Sequence, residues 1–186
     1  MDNQHSLTSG DSMRPLPTIG EIRAARCTVP DPDMFLRNLR AVASAFDTHI
    51  ICFNADMLAG KVHAVSAVER AVRAFEEGIN ISNNLEMECL LFAAGSRQCS
   101  IAATFGIHEG ENRMYICCYP ARAKVWVALE PLFRFVREGW DTIDPEKTAQ
   151  LMKTFSISPG ELAAAGGRER IVDLVLERVA LLQVIR

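Results

Sequence analysis

The pattern of apolar and polar positions predicts two short strands early in the chain, joined by a helix. Residues 20–29 fit a first strand, and residues 48–53 are a short apolar run with β-branched side chains, which is typical of a buried strand. Asp31 followed by Pro32 indicates a helix start between them, because Asp caps a first turn and Pro suits the first helical position. We expect this helix to run to about Phe46.

Two further helices are expected in the middle of the chain. From Lys61 onward, apolar residues recur at helical spacing until Gly78, and glycine commonly ends helices. Asn83, followed three residues later by Glu86, is a capping-box pattern that predicts another helix start. This helix is expected to run through Leu91.

The second half of the chain is predicted to be mainly helical. Residues 98–105 and 122–136 fit helices, and residues 113–119 between them fit a strand. Two pairs in which a capping residue precedes proline predict further helix starts: Asp144 with Pro145, and Ser158 with Pro159. The last helix is expected to cover about residues 168–185.

Few strands, many helices and no strict alternation of strand and helix indicate an α+β fold. We expect a single domain in which a small, mainly antiparallel β-sheet packs against several α-helices. A chain of 186 residues, 49% of them hydrophobic, can bury such a core without disulfides or metals. Residues 1–18 are polar and lack apolar periodicity, so we expect a disordered tail there and a folded domain over residues 19–186.

Composition and charge narrow the possible functions. The formal net charge is -3, whereas proteins that wrap nucleic acid are usually strongly basic, so any RNA contact must be local. The apolar runs are too short to cross a membrane and no secretory signal is visible, so we expect a cytoplasmic protein without membrane contact. The 6 cysteines lack C-x-x-C spacing, which favours plain buried thiols over a metal site.

Familiar catalytic signatures are absent from the sequence. It contains no glycine-rich phosphate loop, no nucleophile elbow and no H-E-x-x-H motif. We therefore expect a protein that is not an enzyme and that needs no cofactor, metal or small-molecule substrate. One alternative is an unfamiliar enzyme that uses Cys117 or His63. For His63 itself, the choice lies between packing or hydrogen bonding and contact with an RNA or a partner.

A small anion-binding site is expected near the helix ends. Arg97 and Gln98 place a cation and an amide at the junction of two predicted helices, where backbone N–H groups can hold a phosphate. The alternative is that these two side chains only cap neighbouring backbone groups. Four further donors occur at helix starts or in the joints before them, namely Lys61, His63, Asn83 and Asn84.

The last predicted helix is more apolar than one buried face requires. Part of its surface is therefore expected to bind another protein. The candidate contacts are Val172, Leu176, Val179 and Leu182. The alternative is a helix buried entirely within its own domain.

Three ordered segments of the chain resemble a known family. They are NADMLAGKVHAVSAVERAVRAFEEG at residues 54–78, NISNNLEMECLLFAAGSRQCSIAATFGI at residues 80–107 and DLVLERVALL at residues 173–182. Spacing and residue type agree most closely in the second segment. Over about residues 20–182, the chain is similar to the PRPK-binding-protein (TPRKB) family, whose archaeal members are subunits of the KEOPS complex.

The resemblance implies an α+β fold and no catalytic activity of its own. It implies binding to the kinase-like ATPase subunit of KEOPS, support for threonylcarbamoylation of adenosine 37 in tRNA, and contact with the tRNA 3′ CCA tail. The six donors above are then the expected RNA site, with Arg97 the strongest choice because guanidinium can both pair with phosphate and stack beneath a base. The main alternative is an adaptor that binds the kinase-like subunit without contacting RNA.

Overall fold

The fold is built around one four-stranded antiparallel sheet. The computed structural model of the chain describes residues 19–137 and 139–183. Its strands, in chain order, are β1 (Ile22–Val29), β2 (His49–Asn54), β3 (Gly110–Tyr119) and β4 (Arg134–Val136). They lie in the order β2-β3-β1-β4, and each neighbouring pair is antiparallel. This arrangement confirms the predicted α+β fold of a small single domain.

Eight α-helices pack around the sheet in the part of the chain that the structure describes. They are α1 (Pro32–Ala45), α2 (Lys61–Glu77), α3 (Leu85–Ala94), α4 (Cys99–Ala103), α5 (Val125–Leu129), α6 (Pro145–Thr154), α7 (Pro159–Ala164) and α8 (Ile171–Leu181). A 3₁₀ turn, Arg168–Arg170, precedes α8. None of these helices is both long enough and apolar enough to cross a membrane.

The sheet separates two hydrophobic cores. Successive side chains of a strand point to opposite faces, so Ile51 and Phe53 of β2 join the larger core, whereas Ile50 and Cys52 join the smaller one. The larger core packs α2, α3 and α8 against one face, and the smaller core packs α1 and α5 against the other. The domain therefore has three layers, with the sheet in the middle.

The helix starts predicted from a capping residue and proline are confirmed. Asp31 Oδ1 accepts a hydrogen bond from Met34 N at 3.0 Å, and Asp144 Oδ1 accepts one from Lys147 N at 2.7 Å. Ser158 caps α7 in the same way. These local signals fix three of the helix starts without help from the rest of the fold.

The start of α3 differs from the prediction by one residue. Asn84, not Asn83, is the N-cap, and its side chain accepts a first-turn N–H at 2.8 Å. Glu86 therefore does not complete a capping box, and it pairs instead with His49 at 2.9 Å. Either of the two adjacent asparagines could cap the helix. The helix begins after the second of them because this start buries Leu85 in the core.

The predicted helix over residues 122–136 is wrong. Only α5 is helical there, and β4 follows it and pairs with β1. Pro131 has no backbone N–H and disfavours continuation of the helix. Val125, Leu129 and Phe133 have helical spacing and share the smaller core, but Phe133 reaches that core from the segment just before β4.

Two other helices are shorter than predicted. α4 ends at Ala103 rather than near residue 105, and α8 begins at Ile171 because a 3₁₀ turn replaces its first predicted turn. The predicted tail over residues 1–18 and the last part of the predicted C-terminal helix, residues 184–185, lie outside the described residues.

Candidate functional site

His63, near the start of α2, is buried where this helix packs against the C-terminal end of α3. We call the packed contact between α2 and α3 the joint. It is fully buried, its Nδ1 accepts a hydrogen bond from Ala59 N (3.1 Å), and its Nε2 donates to Ala93 O (2.9 Å). Burial lowers the pKa of His63 to about 4, and the charge of Lys147 acts in the same direction. The ring is neutral and closed to solvent, which corrects its place in the predicted RNA site: His63 holds the joint together.

The start of α2 already holds a carboxylate. Asp141 Oδ1 accepts hydrogen bonds from Lys61 N (2.6 Å) and from the Tyr115 hydroxyl (2.7 Å). Gly60 permits this approach, since its φ is +83° and a Cβ there would lie 2.9 Å from Asp141 Oδ1. The protein's own anion therefore occupies this helix start, and the exposed Lys61 side chain is the part that can meet an external ligand.

Glu88 holds the opposite end of the same joint. It is fully buried in α3, and its carboxylate accepts hydrogen bonds from Ile81 N (3.0 Å) and Ser82 N (2.7 Å). Buried carboxylates need such donors, so this contact fixes the turn that leads into α3. Sequence reasoning left Glu88 without a role, because the turn that supplies its donors has no periodic pattern.

The predicted RNA residues fall into two groups rather than one site. Asn83 and Asn84 precede α3, whereas Arg97 and Gln98 follow it, and this helix of 10 residues separates the groups by about 15 Å. The Asn84 side chain is engaged as the helix cap. Lys61 belongs with the second group, because the buried histidine ties the start of α2 to the C-terminal end of α3.

The loop between α3 and α4, residues 95–98, carries the second group. Gly95 ends α3 with a φ of +57°, and Ser96 Oγ accepts a hydrogen bond from Gln98 N at 3.2 Å. Arg97 and Gln98 are both exposed. Arg97 also lines a cleft of about 220 Å³ together with Leu182. A cation and an amide thus stand at the surface on one short loop.

α8 exposes only part of its apolar surface. Val179 and Leu182 are buried in the larger core, so their predicted role as partner contacts is wrong. Val172 and Leu176 are partly exposed and, at a spacing of four residues, lie on one side of the helix. Leu181 is 43% exposed. Leu181, nine residues after Val172, lies about 180° around the helix from it, so we call Val172 and Leu176 the outer face of α8.

The loop between α3 and α4 adjoins α8. A Cβ on Gly95 would lie 3.5 Å from Arg178 O, so α8 crosses directly over the end of α3. An ion pair between Arg178 and Glu161 (2.6 Å) ties α8 to α7. The candidate RNA contacts in the loop and the candidate partner helix are therefore neighbours.

The family comparison covers both of these regions. The family model described as kinase binding protein CGI-121 matches residues 33–183. The chain belongs to the CGI-121 family. The match confirms the family that the three resembling segments indicated, and members of the CGI-121 family are described as kinase-binding proteins. A search of curated proteins finds no significant match.

This CGI-121 family member also carries a cluster of cations that sequence reasoning missed. Arg26 of β1 lies directly across from Arg113 of β3 and from Arg134 of β4, so three arginines form a row across one face of the sheet. Trp140 stacks on the row, 4.6 Å from Arg26 Cζ and 5.4 Å from Arg113 Cζ. Asp56 pairs with Arg113 and offsets part of the repulsion. The row depends on strand register, which spacing along the chain does not reveal.

The cysteines of this CGI-121 family member do not form a reactive centre. Five are buried, only Cys99 is exposed, and all six are free thiols. Burial raises the pKa of Cys117 to about 12, so this thiol is not poised as a nucleophile. Within residues 19–137 and 139–183, no group of three or more His, Cys, Asp or Glu is arranged to hold a metal ion.

Proposed function

We propose that this chain is a non-catalytic subunit of the KEOPS complex. In this role it acts in the cytoplasm, binds the kinase-like ATPase subunit and the tRNA 3′ CCA tail, and supports formation of threonylcarbamoyladenosine at tRNA position 37. The observation that carries the proposal is the CGI-121 family match over residues 33–183. This range includes all the candidate RNA and partner residues.

The outer face of α8 supports docking on the kinase-like subunit. Val172 and Leu176 present aliphatic surface that the larger core does not fully cover. Asp173 and Glu177 are exposed on the same helix. An apolar patch beside exposed charges is the usual composition of a protein interface.

The loop between α3 and α4 supports binding of a single-stranded RNA end. Arg97 can pair with a phosphate or stack beneath a base, Gln98 can hydrogen-bond a base edge, and Lys61 adds a nearby positive charge. A short single strand needs few such contacts, so a net charge of -3 is compatible with this role. Because the loop adjoins α8, the tRNA end and the kinase-like subunit would meet on neighbouring surfaces.

A gel-shift titration with intact tRNA and with tRNA lacking CCA tests the RNA half of the proposal. We expect the truncated tRNA to bind at least about tenfold more weakly, since its stacking bases and terminal phosphates are missing. Equal binding of the two RNAs would indicate generic phosphate contact. No binding of either would favour the alternative, an adaptor that binds the kinase-like subunit without contacting RNA.

Size-exclusion chromatography with the kinase-like subunit tests the other half. We expect the two proteins to elute as one complex, and we expect the purified chain alone neither to hydrolyse ATP nor to form threonylcarbamoyladenosine. Turnover by a rigorously purified sample would contradict a non-catalytic role. Separate elution at micromolar concentrations would contradict kinase binding.

A further inference from the structure

Strand β2 is an edge strand with an open backbone. It lies at one edge of the sheet, opposite β4, and among the described residues it pairs only with β3. Ala55 N donates to Arg113 O (2.8 Å), which places the odd-numbered positions of this segment toward β3. Because backbone groups alternate in direction along an antiparallel strand, the N–H and C=O groups of Ile50 and Cys52 point away from the sheet.

The chain itself closes this edge at both ends. Thr48 N donates to Ala43 O (3.1 Å), and Asn54 N donates to Phe105 O (2.7 Å). Between these two bonds, the backbone groups of Ile50 and Cys52 have no hydrogen-bond partner in the described part of the chain. Unpaired backbone groups in a largely buried position call for a partner. The open edge is therefore short and sharply bounded.

A cavity of about 320 Å³ opens along this same edge. It lies between α1 and α3, and β2 contributes Ile50, Ile51 and Cys52 to it. The walls are mainly apolar and include Leu36, Leu39, Ala43, Met87, Leu90 and Ile107. This size and lining are those of a ligand pocket, and the backbone groups at its floor would fix the orientation of an occupant.

The two charged side chains at the cavity mouth differ in what they contact. The Glu86 carboxylate is hydrogen-bonded to His49 Nδ1 at 2.9 Å, whereas Arg40 is exposed and has no ion pair among the described residues. Asn84 adds a neutral polar group. The mouth therefore favours an occupant that carries a carboxylate beside Arg40.

From these observations we propose that the cleft binds a short extended peptide segment of a partner protein by β-strand addition to β2. The peptide backbone pairs with Ile50 and Cys52, one aliphatic side chain enters the cavity, and an acidic residue lies beside Arg40. Strand addition takes its affinity from such edge hydrogen bonds and its specificity from pockets for alternate side chains. The site is separate from the loop between α3 and α4 and does not depend on RNA binding.

A synthetic peptide provides the direct test. The probe is acetyl-Thr-Val-Leu-Val-Asp-amide, added to the full chain at concentrations up to about 1 mM. Weak binding that rests on a few contacts of this kind can be measured at such concentrations. We expect NMR shift changes and slower hydrogen exchange at the amides of Ile50 and Cys52. A peptide N-methylated at two adjacent residues loses an edge-facing donor in either register, so it should bind at least about tenfold more weakly.

Matched variants of α1 locate the contact. Ala43→Trp should fill the cavity and abolish binding, whereas Ala41→Trp, at an exposed position of the same helix, should not. Arg40→Glu should weaken the acidic probe and strengthen a probe ending in Lys, while Arg37→Glu should change neither. The arginine variants alter only exposed side chains, so they keep the test valid if Ala43→Trp fails to fold.

Three results would overturn the proposal. Equal affinity for the N-methylated peptide would exclude strand addition, and unchanged amides at Ile50 and Cys52 throughout the titration would exclude the site. If the probe binds only after residues 1–18 are deleted, the chain's own segment is the occupant, and the assignment to a partner fails.

Discussion

The buried joint between α2 and α3 and the exposed loop between α3 and α4 use polar side chains in opposite ways. In the joint, both ring nitrogens of His63 and both carboxylate oxygens of Glu88 are hydrogen-bonded to backbone inside the fold. In the loop, Arg97 and Gln98 are exposed. Both regions have polar residues at helix ends, so this position alone does not distinguish a side chain that stabilises the fold from one that can bind a ligand. The extent of burial distinguishes them.

The largest expected effect comes from breaking the joint at Glu88. Glu88→Ala leaves the N–H groups of Ile81 and Ser82 buried without their acceptor, so the free energy of unfolding should fall by about 4 kcal/mol, at about 2 kcal/mol per lost acceptor contact. Urea denaturation followed by circular dichroism measures this. Glu77→Ala, at the exposed end of α2, is the control. A loss no larger than the control's would show that water replaces the carboxylate.

The second effect is a pH dependence carried by His63. Its pKa is lowered from 6.5 to about 4 in the folded state, so the unfolded chain binds a proton first as the pH falls. The stabilisation is therefore complete above pH about 6.5 and is lost toward pH about 4, by about 3 kcal/mol for this one group.

Comparison with His63→Gln isolates this contribution from that of the carboxylates. Urea denaturation of both proteins at pH about 7 and about 4 should show that the wild type loses about 3 kcal/mol more than the variant over this interval. Parallel losses in the two proteins would mean that the imidazole is accessible in the folded state.

The third effect concerns the loop. Arg97→Ala should weaken binding of intact tRNA by about 2 kcal/mol, or about 30-fold, because one charge-assisted contact or stacking surface is lost. Binding of tRNA lacking CCA should change little. Arg134→Ala in the arginine row on the sheet is the matched control, and an equal loss on both RNAs from that variant would identify the row as a generic phosphate contact. No loss from Arg97→Ala on either RNA, with the fold intact, would return Arg97 to a capping role.

The smallest effect is expected on the outer face of α8. Leu176→Asp should weaken the complex with the kinase-like subunit by at least about tenfold, which corresponds to about 1.4 kcal/mol, with little change in stability. Glu177→Gln, at the next position, should leave affinity within about twofold. Surface plasmon resonance with the purified partner compares the affinities of the two variants. Unchanged affinity for Leu176→Asp would place the interface elsewhere.

The fold was predictable wherever the chemistry that decides it is local. Asp31, Asp144 and Ser158 start helices as predicted, because a capping side chain bonds to backbone within its own first turn. The error at residues 122–136 has the opposite origin. β4 exists through its pairing with β1, about a hundred residues earlier in the chain, and helical spacing of a few apolar residues carries no information about that partner.

The candidate site was predictable in type but not in place. A cation and an amide on an exposed loop were found at Arg97 and Gln98 from the sequence alone. The burial of His63 was left open, because its hydrogen bonds reach Ala93 on a different helix. The predicted partner contacts on α8 were partly wrong for a similar reason. The sequence of an aliphatic-rich helix does not show which side packs against its own core, and Val179 lies on the buried side.

The position of β1 in the sheet has a consequence for the newly made chain. Among the described strands β1 is synthesised first, yet it lies between β3 and β4, which begin at Gly110 and Arg134. At about 5–20 residues per second, roughly 5 to 20 seconds separate the completion of β1 from that of β3. During this interval both edges of β1 lack their partners. The nascent chain therefore carries β1 with unpaired edges while about half of its 186 residues are added, and exposed strand edges of this kind are prone to aggregation until β3 emerges.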